Sequence, residues 1–240
     1  MLPESQLLGT NFGSPHGVTK QDLHVLELWH LTYYFAVPLG LLVLGLILWC
    51  VIRYRARPGD QRRPAQFQYH IPLEATYTII PLVIIAIVFG AMYGAENKID
   101  HVSKTPAVKI TVDGFQWGWR FVYPNGHQEV GTVSDEQNIE SNNHLPVLYM
   151  PADETVQLHL VSLDVVHTFY VPEFLFNRDL IPGIHNYVDF NVTKPGLYTG
   201  QCNNICGQYH AYMRFLVQVM PPAQYNAWYA HQAPNSTTTA

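Results

Sequence analysis

The sequence predicts a two-helix transmembrane hairpin followed by an all-β domain, and three observations support this fold class. Two long apolar runs, 28–52 and 75–95, contain no Asp, Glu, Lys or Arg. After residue 106 the chain changes to short stretches of alternating apolar and polar residues, rich in β-branched and aromatic side chains. Turn sequences such as "PNG" and "KPG" separate these stretches. A helical anchor and a β-sandwich or barrel therefore share one chain.

The segment 1–27 is predicted to be an outer N-terminal leader. It lacks a charged start followed by an apolar core and a small-residue cleavage site, so it does not resemble a cleavable signal peptide. We expect the first apolar run to act as the signal anchor.

The hairpin is predicted over residues 28–96, with spans at about 28–52 and 75–95. Each run can cross a hydrocarbon core of about 30 Å, which requires roughly 20 apolar residues in a helix. Pro38 and Pro81 lie inside the runs, where membrane helices tolerate proline. The alternative, a pair of buried helices in a soluble core, is disfavoured because such helices rarely stay uncharged beyond about 14 residues.

The orientation follows from the cationic residues of the loop 53–73. This loop is far richer in arginine than the leader, where Lys20 is the one Lys or Arg. Short loops with an excess of Lys and Arg remain on the cytoplasmic side. We therefore expect both termini and the whole β domain on the outer face of a bacterial cell membrane. The loop arginines are Arg53, Arg55, Arg57, Arg62 and Arg63.

The β domain is predicted to occupy residues 107–220, after a linker at 97–106. About seven or more antiparallel strands in roughly 115 residues suffice for one independent sandwich core. The segment 221–240 is expected to form a short C-terminal helix and a tail.

The charge of the exported part limits the classes of partner. From residue 101 onward, six Lys and Arg face eleven Asp and Glu, a net charge of −5. An acidic surface attracts a basic partner, although a solubilising surface charge is an equally good explanation. Nucleic acid is disfavoured by both the sign of the charge and the compartment.

The stretch "QCNNICGQYHAYM" contains two of the three cysteines, close to a histidine and a methionine. A disulfide between Cys202 and Cys206 would leave His210 and Met213 without a role, and zinc has little use for a thioether. Thiolate, thioether and imidazole together favour copper. Either one copper is bound as in a blue copper site, or the second thiolate bridges two coppers.

A second imidazole is required, and the strand-like stretch "SLDVVHTFYVP" supplies His167 beside Asp164. A histidine in an apolar strand is more often a packed core residue than a ligand. Here the loop needs another ligand, which favours coordination by His167.

These residues resemble subunit II of the haem-copper cytochrome c oxidases, whose cupredoxin domain carries the dinuclear copper centre CuA. The family pattern Cys-x-Glu-x-Cys-x₃-His-x₂-Met has the same spacing as the five positions of this chain. The upstream stretch "DVVHTFYVPEFLFNRDLIPG" resembles the family's Asp-Val-x-His-Ser stretch and its following basic residue, Asp and Pro-Gly. The matching loop positions are Cys202, Asn204, Cys206, His210 and Met213.

The resemblance implies a complete ligand set for two copper ions. Cys202 and Cys206 would bridge the coppers, His167 and His210 would each bind one of them, and Met213 would be a weak ligand on the His167 side. The remaining weak ligand would be a backbone carbonyl, that of Asn204. Since Asn204 replaces the family's glutamate, which reaches a magnesium or manganese ion, we assign no such ion here.

Two further residues inherit roles from the resemblance. The stretch "GFQWGWRF" is similar to the family's aromatic segment that receives electrons from cytochrome c, which places Trp117 at that point. Trp119 and Phe121 fit a role in the sandwich core equally well. At the start of the second span, "PLEATYTIIP" resembles a family segment with a glutamate at the mouth of a proton path, which gives Glu74 this role. A carboxylate that merely faces lipid headgroups is the competing explanation.

The expected function is that of subunit II of a respiratory, proton-translocating cytochrome c oxidase. It would take electrons from cytochrome c or a similar soluble carrier at the copper centre and pass them to haem in subunit I. Haems and the second copper site, CuB, are expected in that partner, beside subunit III. No Cys-x-x-Cys-His motif for a covalent haem occurs in this chain. The alternative function is a membrane-anchored mononuclear copper carrier or sensor.

Overall fold

The computed structural model describes residues 13–55, 58–59, 66–133 and 145–232. These residues form two compact units. One is helical and spans residues 26–97. The other combines residues 13–25 with the described residues from Lys98 onward, and it contains the β domain.

The helical unit contains most of α1 (Asp22–Arg53) and α2 (Ile71–Ile99), and these helices include the two predicted spans. In the most apolar part of each helix no residue is buried. Helices that are apolar on all sides and unburied match a lipid environment rather than a soluble core. Of the five loop arginines, Arg57, Arg62 and Arg63 lie outside the described residues.

In the described residues, the β domain contains ten strands and a C-terminal helix. The strands separate into two five-stranded sheets, with orders β3-β2-β1-β5-β8 and β4-β10-β9-β6-β7. The elements are β1 (Val108–Phe115), β2 (Gly118–Val122), β3 (Gln128–Thr132), β4 (Val147–Pro151), β5 (Val156–Ser162), β6 (His167–Val171), β7 (Phe176–Leu180), β8 (Asn186–Phe190), β9 (Gly196–Cys202), β10 (Arg214–Met220) and α3 (Pro222–Ala230).

The strand pairing departs in one respect from the predicted antiparallel arrangement. β1 pairs in parallel with β5, and β4 pairs in parallel with β10, whereas the other pairings are antiparallel. The parallel pairs join strands that are distant in sequence, because the chain crosses to the other sheet between them. Period-two alternation reveals a strand but not the direction of its neighbour.

The core lies between the sheets and is strongly aromatic. Trp119, Phe169 and Phe215 are fully buried, and their rings contact one another at centroid distances of 5.0–6.3 Å. Phe121 extends this cluster through Phe215 at 5.6 Å. Complete burial of such a side chain contributes about 1.5–3 kcal/mol, so this cluster makes the strand ends above it rigid.

Residues before α1 also belong to the β domain. Backbone N–H groups of Val18 and Lys20 donate to the carbonyls of Glu173 and Asn191 at 3.1 and 3.0 Å. The Thr193 N–H donates to the Val18 carbonyl at 2.7 Å. The segment therefore adds a short edge to the sandwich. The predicted combination of two apolar helices with a two-sheet β domain is confirmed.

Candidate metal centre

The predicted ligand residues lie at one end of the second sheet. β9 ends at Cys202, β6 begins at His167, and β10 begins directly after Met213. The Cys202 N–H donates to the Met213 carbonyl at 2.9 Å, which closes the base of the loop between β9 and β10. Cys206 and His210 lie within this loop. The antiparallel pairing of β9 with β10 therefore brings residues eleven positions apart to the same point.

The donor atoms face one another at distances suited to shared metal ions. The Cys202 Sγ lies 3.8 Å from the Cys206 Sγ and 3.9 Å from the His167 Nδ1. The Cys206 Sγ lies 3.6 Å from the His210 Nδ1 and 3.8 Å from the Met213 Sδ. Two donors bound to one ion at about 2.0–2.3 Å are about 3.3–3.8 Å apart in tetrahedral geometry. The sulfur and nitrogen atoms thus fit coordination with little rearrangement.

The backbone of Asn204 completes the group. Its carbonyl oxygen lies 3.3 Å from the Cys202 Sγ, and this contact does not involve the amide side chain. The replacement of the family's glutamate by asparagine therefore leaves the carbonyl position intact. The structure brings together all six residues that the sequence indicated as ligands.

Burial distinguishes this group from a surface cluster of polar residues. His167 is 0% exposed, Met213 1%, and each of the two cysteines 4%. Both thiols are free, and their separation is far longer than the S–S bond of about 2.05 Å in a disulfide. A buried set of soft sulfur donors beside an imidazole is compatible with copper binding.

The two thiols differ in their tendency to ionise. Burial opposes ionisation of Cys202, but hydrogen bonding to His167 and to backbone groups of Asn204 and Thr168 lowers its pKa to about 6. At Cys206, burial and the charge on the nearby Cys202 sulfur raise the pKa to about 12. A pocket shielded from water can stabilise one thiolate but not two adjacent ones, whereas a bound cation allows both thiols to ionise.

Trp117 contacts the ligand loop from the turn between β1 and β2. Its ring lies edge-on to Tyr209, with centroids 5.0 Å apart. Gly207 has a φ of +131°, and a Cβ there would lie 3.0 Å from the Trp117 ring. A glycine is therefore needed both for the backbone conformation and for the close approach of the tryptophan. The structure places Trp117 beside the loop, whereas Trp119 and Phe121 belong to the core.

Comparisons with known proteins identify the family of this chain. The sequence model described as "Cytochrome C oxidase subunit II, periplasmic domain" matches residues 108–220. A protein of Streptomyces avermitilis named "Probable cytochrome c oxidase subunit 2" is 34% identical over 89% of this chain and 76% of its own length. The chain belongs to the cytochrome c oxidase subunit II family. "Cytochrome c oxidase subunit 2" of Mycobacterium bovis is 28% identical over 97% of this chain and 77% of its own length.

Among solved structures, the periplasmic domain of subunit II of cytochrome oxidase from Bradyrhizobium japonicum is 25% identical, with a TM-score of 0.48. The match covers 55% of this chain and 96% of that chain. Because the family's periplasmic-domain model matches residues 108–220, the β domain of this chain is the cupredoxin-like domain of the family, as predicted, and copper binding is a property of that family.

Glu74 lies in the helical unit, in the first turn of α2. Its carboxylate accepts a hydrogen bond from the backbone N–H of His70 at 2.8 Å, which caps the start of the helix. This hydrogen bond gives Glu74 a structural role that does not require a proton path. The predicted role of Glu74 in proton uptake in the subunit II family stays a prediction.

Two residues at the centre were not predicted from the sequence. The Gln116 side-chain amide donates to the Cys206 carbonyl at 2.7 Å, and Tyr209 packs against Trp117. Gln116 gave no signal, because a glutamine in a turn usually faces solvent. Tyr209 could have been suspected from its position beside His210 in the ligand loop.

Proposed function

We propose that this chain is the electron-accepting subunit of a respiratory cytochrome c oxidase, with a dinuclear copper centre at the sulfur ligands. The observation that carries the proposal is the pair of cysteine sulfurs 3.8 Å apart, each with its own imidazole nitrogen at 3.6–3.9 Å. This arrangement suits two metal ions that share both sulfurs. A copper pair bound there would supply a one-electron acceptor.

The residues of this chain would hold both coppers in one geometry. Cys202 and Cys206 would bridge, and His167 and His210 would each bind one ion. Met213 and the Asn204 carbonyl would be the weak ligands. Because these donors are attached to the ends of packed strands, they can move little when the charge of the centre changes.

The surface next to the ligands suits a protein electron donor. Ile205, between the two ligand cysteines, is 86% exposed, and Leu163 and Val165 on the adjoining loop are 52% and 36% exposed. The stretch 202–213 contains no Asp, Glu, Lys or Arg. We propose that cytochrome c or a similar carrier docks on this apolar face and delivers electrons through Trp117.

The oxidase reaction itself would take place in partner subunits. The apolar runs 28–52 and 75–95 offer no Asp, Glu, Lys or Arg for a proton relay. Electrons would therefore pass to haem in subunit I, where oxygen is reduced and protons are pumped, with subunit III in the same complex. We place the chain in the bacterial cell membrane as a multi-pass protein, with the β domain on the outer side.

Electron paramagnetic resonance of the copper-loaded full-length chain tests the proposal. We expect two coppers per chain and the seven hyperfine lines of a mixed-valence pair. Cys202→Ser should reduce the copper content to one or none and abolish the seven-line signal, because one bridging sulfur is lost. Four lines and one copper in the unchanged chain would instead identify a mononuclear carrier or sensor.

A further inference from the structure

The carboxylate of Asp164 connects the ligand histidine to two neighbouring backbone segments. Asp164 lies in the turn between β5 and β6, three residues before His167. Its Oδ1 accepts hydrogen bonds from the His167 ring nitrogen Nε2 at 2.8 Å and from the Val165 N–H at 2.6 Å. Its Oδ2 accepts from the backbone N–H of Gln116 at 2.6 Å. One side chain thus contacts three separate donors.

The contact with His167 determines which ring nitrogen carries the proton. A carboxylate accepts but does not donate, so the nitrogen that faces it, Nε2, must be protonated. The other nitrogen, Nδ1, faces the Cys202 sulfur at 3.9 Å, where a bound metal ion would take its lone pair in place of the hydrogen bond to the thiolate. Since His167 is 0% exposed, its Nε2 has no direct contact with solvent while the carboxylate is in place. The arrangement is that of a carboxylate that orients a metal-binding histidine.

The contact with Gln116 extends the connection to the other side of the centre. The Gln116 side chain donates to the carbonyl of Cys206 at 2.7 Å, and the next residue is Trp117. Asp164 therefore fixes a segment that contacts the second cysteine and carries the tryptophan. A displacement of this carboxylate would alter both the His167 ring and the support of the ligand loop.

We propose that Asp164 is a positioning residue, which fixes the proton of His167 on Nε2 and holds the segment 116–117 against the ligand loop. This inference rests on the proposed function, because it assigns His167 to the metal. The competing explanation is that Asp164 only shapes its turn through the Val165 N–H. Asparagine supports such turns equally well, so an asparagine variant distinguishes the two explanations.

In Asp164→Asn, one carboxylate oxygen is replaced by an NH₂ group, which cannot accept a hydrogen bond. In one orientation of the amide, its NH₂ group faces the Nε2–H of His167. In the other orientation, it faces the backbone N–H of Gln116. Loss of a carboxylate that supports a metal ligand typically lowers metal affinity by about 10–100-fold. We expect a loss of this size in the full-length chain, measured by competition with a copper chelator. We also expect altered hyperfine couplings.

The matched control is Asp153→Asn. Asp153 is exposed, and its φ of +56° is a conformation that asparagine also accepts readily. The control removes the same charge outside the ligand loop and should leave copper affinity unchanged. Equal copper affinity in Asp164→Asn and the unchanged chain, with a seven-line spectrum in both, would overturn the positioning role and leave the proposed function standing.

A second measurement does not depend on whether a variant folds. Nitrogen NMR of the ¹⁵N-histidine-labelled, metal-free chain, recorded at a pH high enough to keep His167 neutral, identifies the protonated nitrogen of its imidazole. We expect the proton of His167 on Nε2. A proton on Nδ1 would overturn the proposed role of Asp164, whereas failure to bind two coppers with the expected tautomer present would overturn the proposed function alone.

Discussion

The two ends of the β-sandwich are built on the same strands but serve different purposes. At one end of β2 and β10, the donor atoms of His167, Cys202 and Cys206 converge within 4.8 Å of one another. At the other end, α3 covers the sheets, and the ring of Trp228 stacks on Tyr149 with centroids 4.3 Å apart. One end presents donor atoms to a metal, and the other is closed by aromatic side chains.

Hydrogen bonding shows the same contrast. At the closed end, the Tyr123 hydroxyl accepts from the Tyr149 N–H at 2.8 Å, which satisfies a backbone donor within the domain. At the ligand end, the cysteine sulfurs approach the Asn204 carbonyl oxygen at 3.3 Å and nitrogen or sulfur atoms of the other candidate ligands at 3.6–3.9 Å. The residues that stabilise the fold and the residues that could bind metal therefore lie at opposite ends of the strands. A substitution at one end should leave the property of the other end unchanged.

The largest effect is expected at the closed end. Tyr123→Ala removes a ring that is 2% exposed and the partner of a backbone N–H. We expect the free energy of unfolding to fall by about 3–5 kcal/mol, measured by denaturant titration. The milder Tyr123→Phe should cost about 1–3 kcal/mol, because it leaves the Tyr149 N–H without its partner. The seven-line copper spectrum should survive in both variants; its loss would show that the two ends are not independent.

The next effect is expected at the ligand end. Trp117→Phe retains an aromatic ring but loses the contact area beside Gly207, and we expect electron uptake from the donor to slow by about tenfold, equivalent to about 1.4 kcal/mol in the barrier. Stopped-flow reduction of the copper in the assembled complex measures this rate. Copper content and unfolding free energy should stay unchanged. An unchanged rate would remove Trp117 from the proposed electron path.

The pKa values of the two cysteines predict how copper binding depends on pH. At pH 8, Cys202 with a pKa of about 6 is already ionised, whereas Cys206 with a pKa of about 12 is not. Metal ligands must be deprotonated, so binding should release about one proton from the cysteines at this pH. From the cysteines alone, copper affinity should then fall about tenfold per pH unit from pH 8 towards pH 6. Although burial opposes it, hydrogen bonding with Cys202 and Asp164 raises the pKa of His167, so protonation of this ligand should make the fall steeper as the pH approaches 6.

Calorimetry in buffers of different ionisation enthalpy counts the protons released. A release of two cysteine protons at pH 8 would contradict the predicted difference between the pKa values of the two thiols. Cys202→Ser provides the comparison, because the remaining cysteine then no longer has a charged sulfur beside it.

The smallest effect concerns salt. Leu163, Val165 and Ile205 are exposed apolar residues, the stretch 202–213 carries no charge, and the exposed carboxylate of Asp164 is hydrogen-bonded to His167. Donor binding should therefore depend little on ionic strength. We expect the KM for the donor to change by less than about twofold up to ~0.15 M salt, where charges farther apart than about 8 Å are screened. Steady-state oxidase assays test this expectation. A steep increase in KM with salt would show that the acidic residues elsewhere on the domain guide the donor.

The sequence was sufficient to predict the helices, the β domain and the six residues that the structure brings together at the ligand end. Apolar length and the spacing from Cys202 to Met213 are properties of the chain itself, so they are visible without a structure. His167 was selected because the loop supplies one imidazole, that of His210, and the expected ligand set requires a second. The parallel pairing of β1 with β5 was missed, since pairing of strands distant in sequence depends on the route of the chain. The links of Gln116 to Asp164 and Cys206 were missed for the same reason.

The edge formed by Val18, Thr19 and Lys20 has a topological consequence. Backbone hydrogen bonds join these residues to segments near 173 and 191–193, so both parts of the chain must reside in one aqueous compartment. The chain between these two parts must therefore cross the bilayer an even number of times. A topology in which only one of the two helices crosses the bilayer is therefore excluded, because it would leave the two hydrogen-bonded parts of the chain on opposite sides.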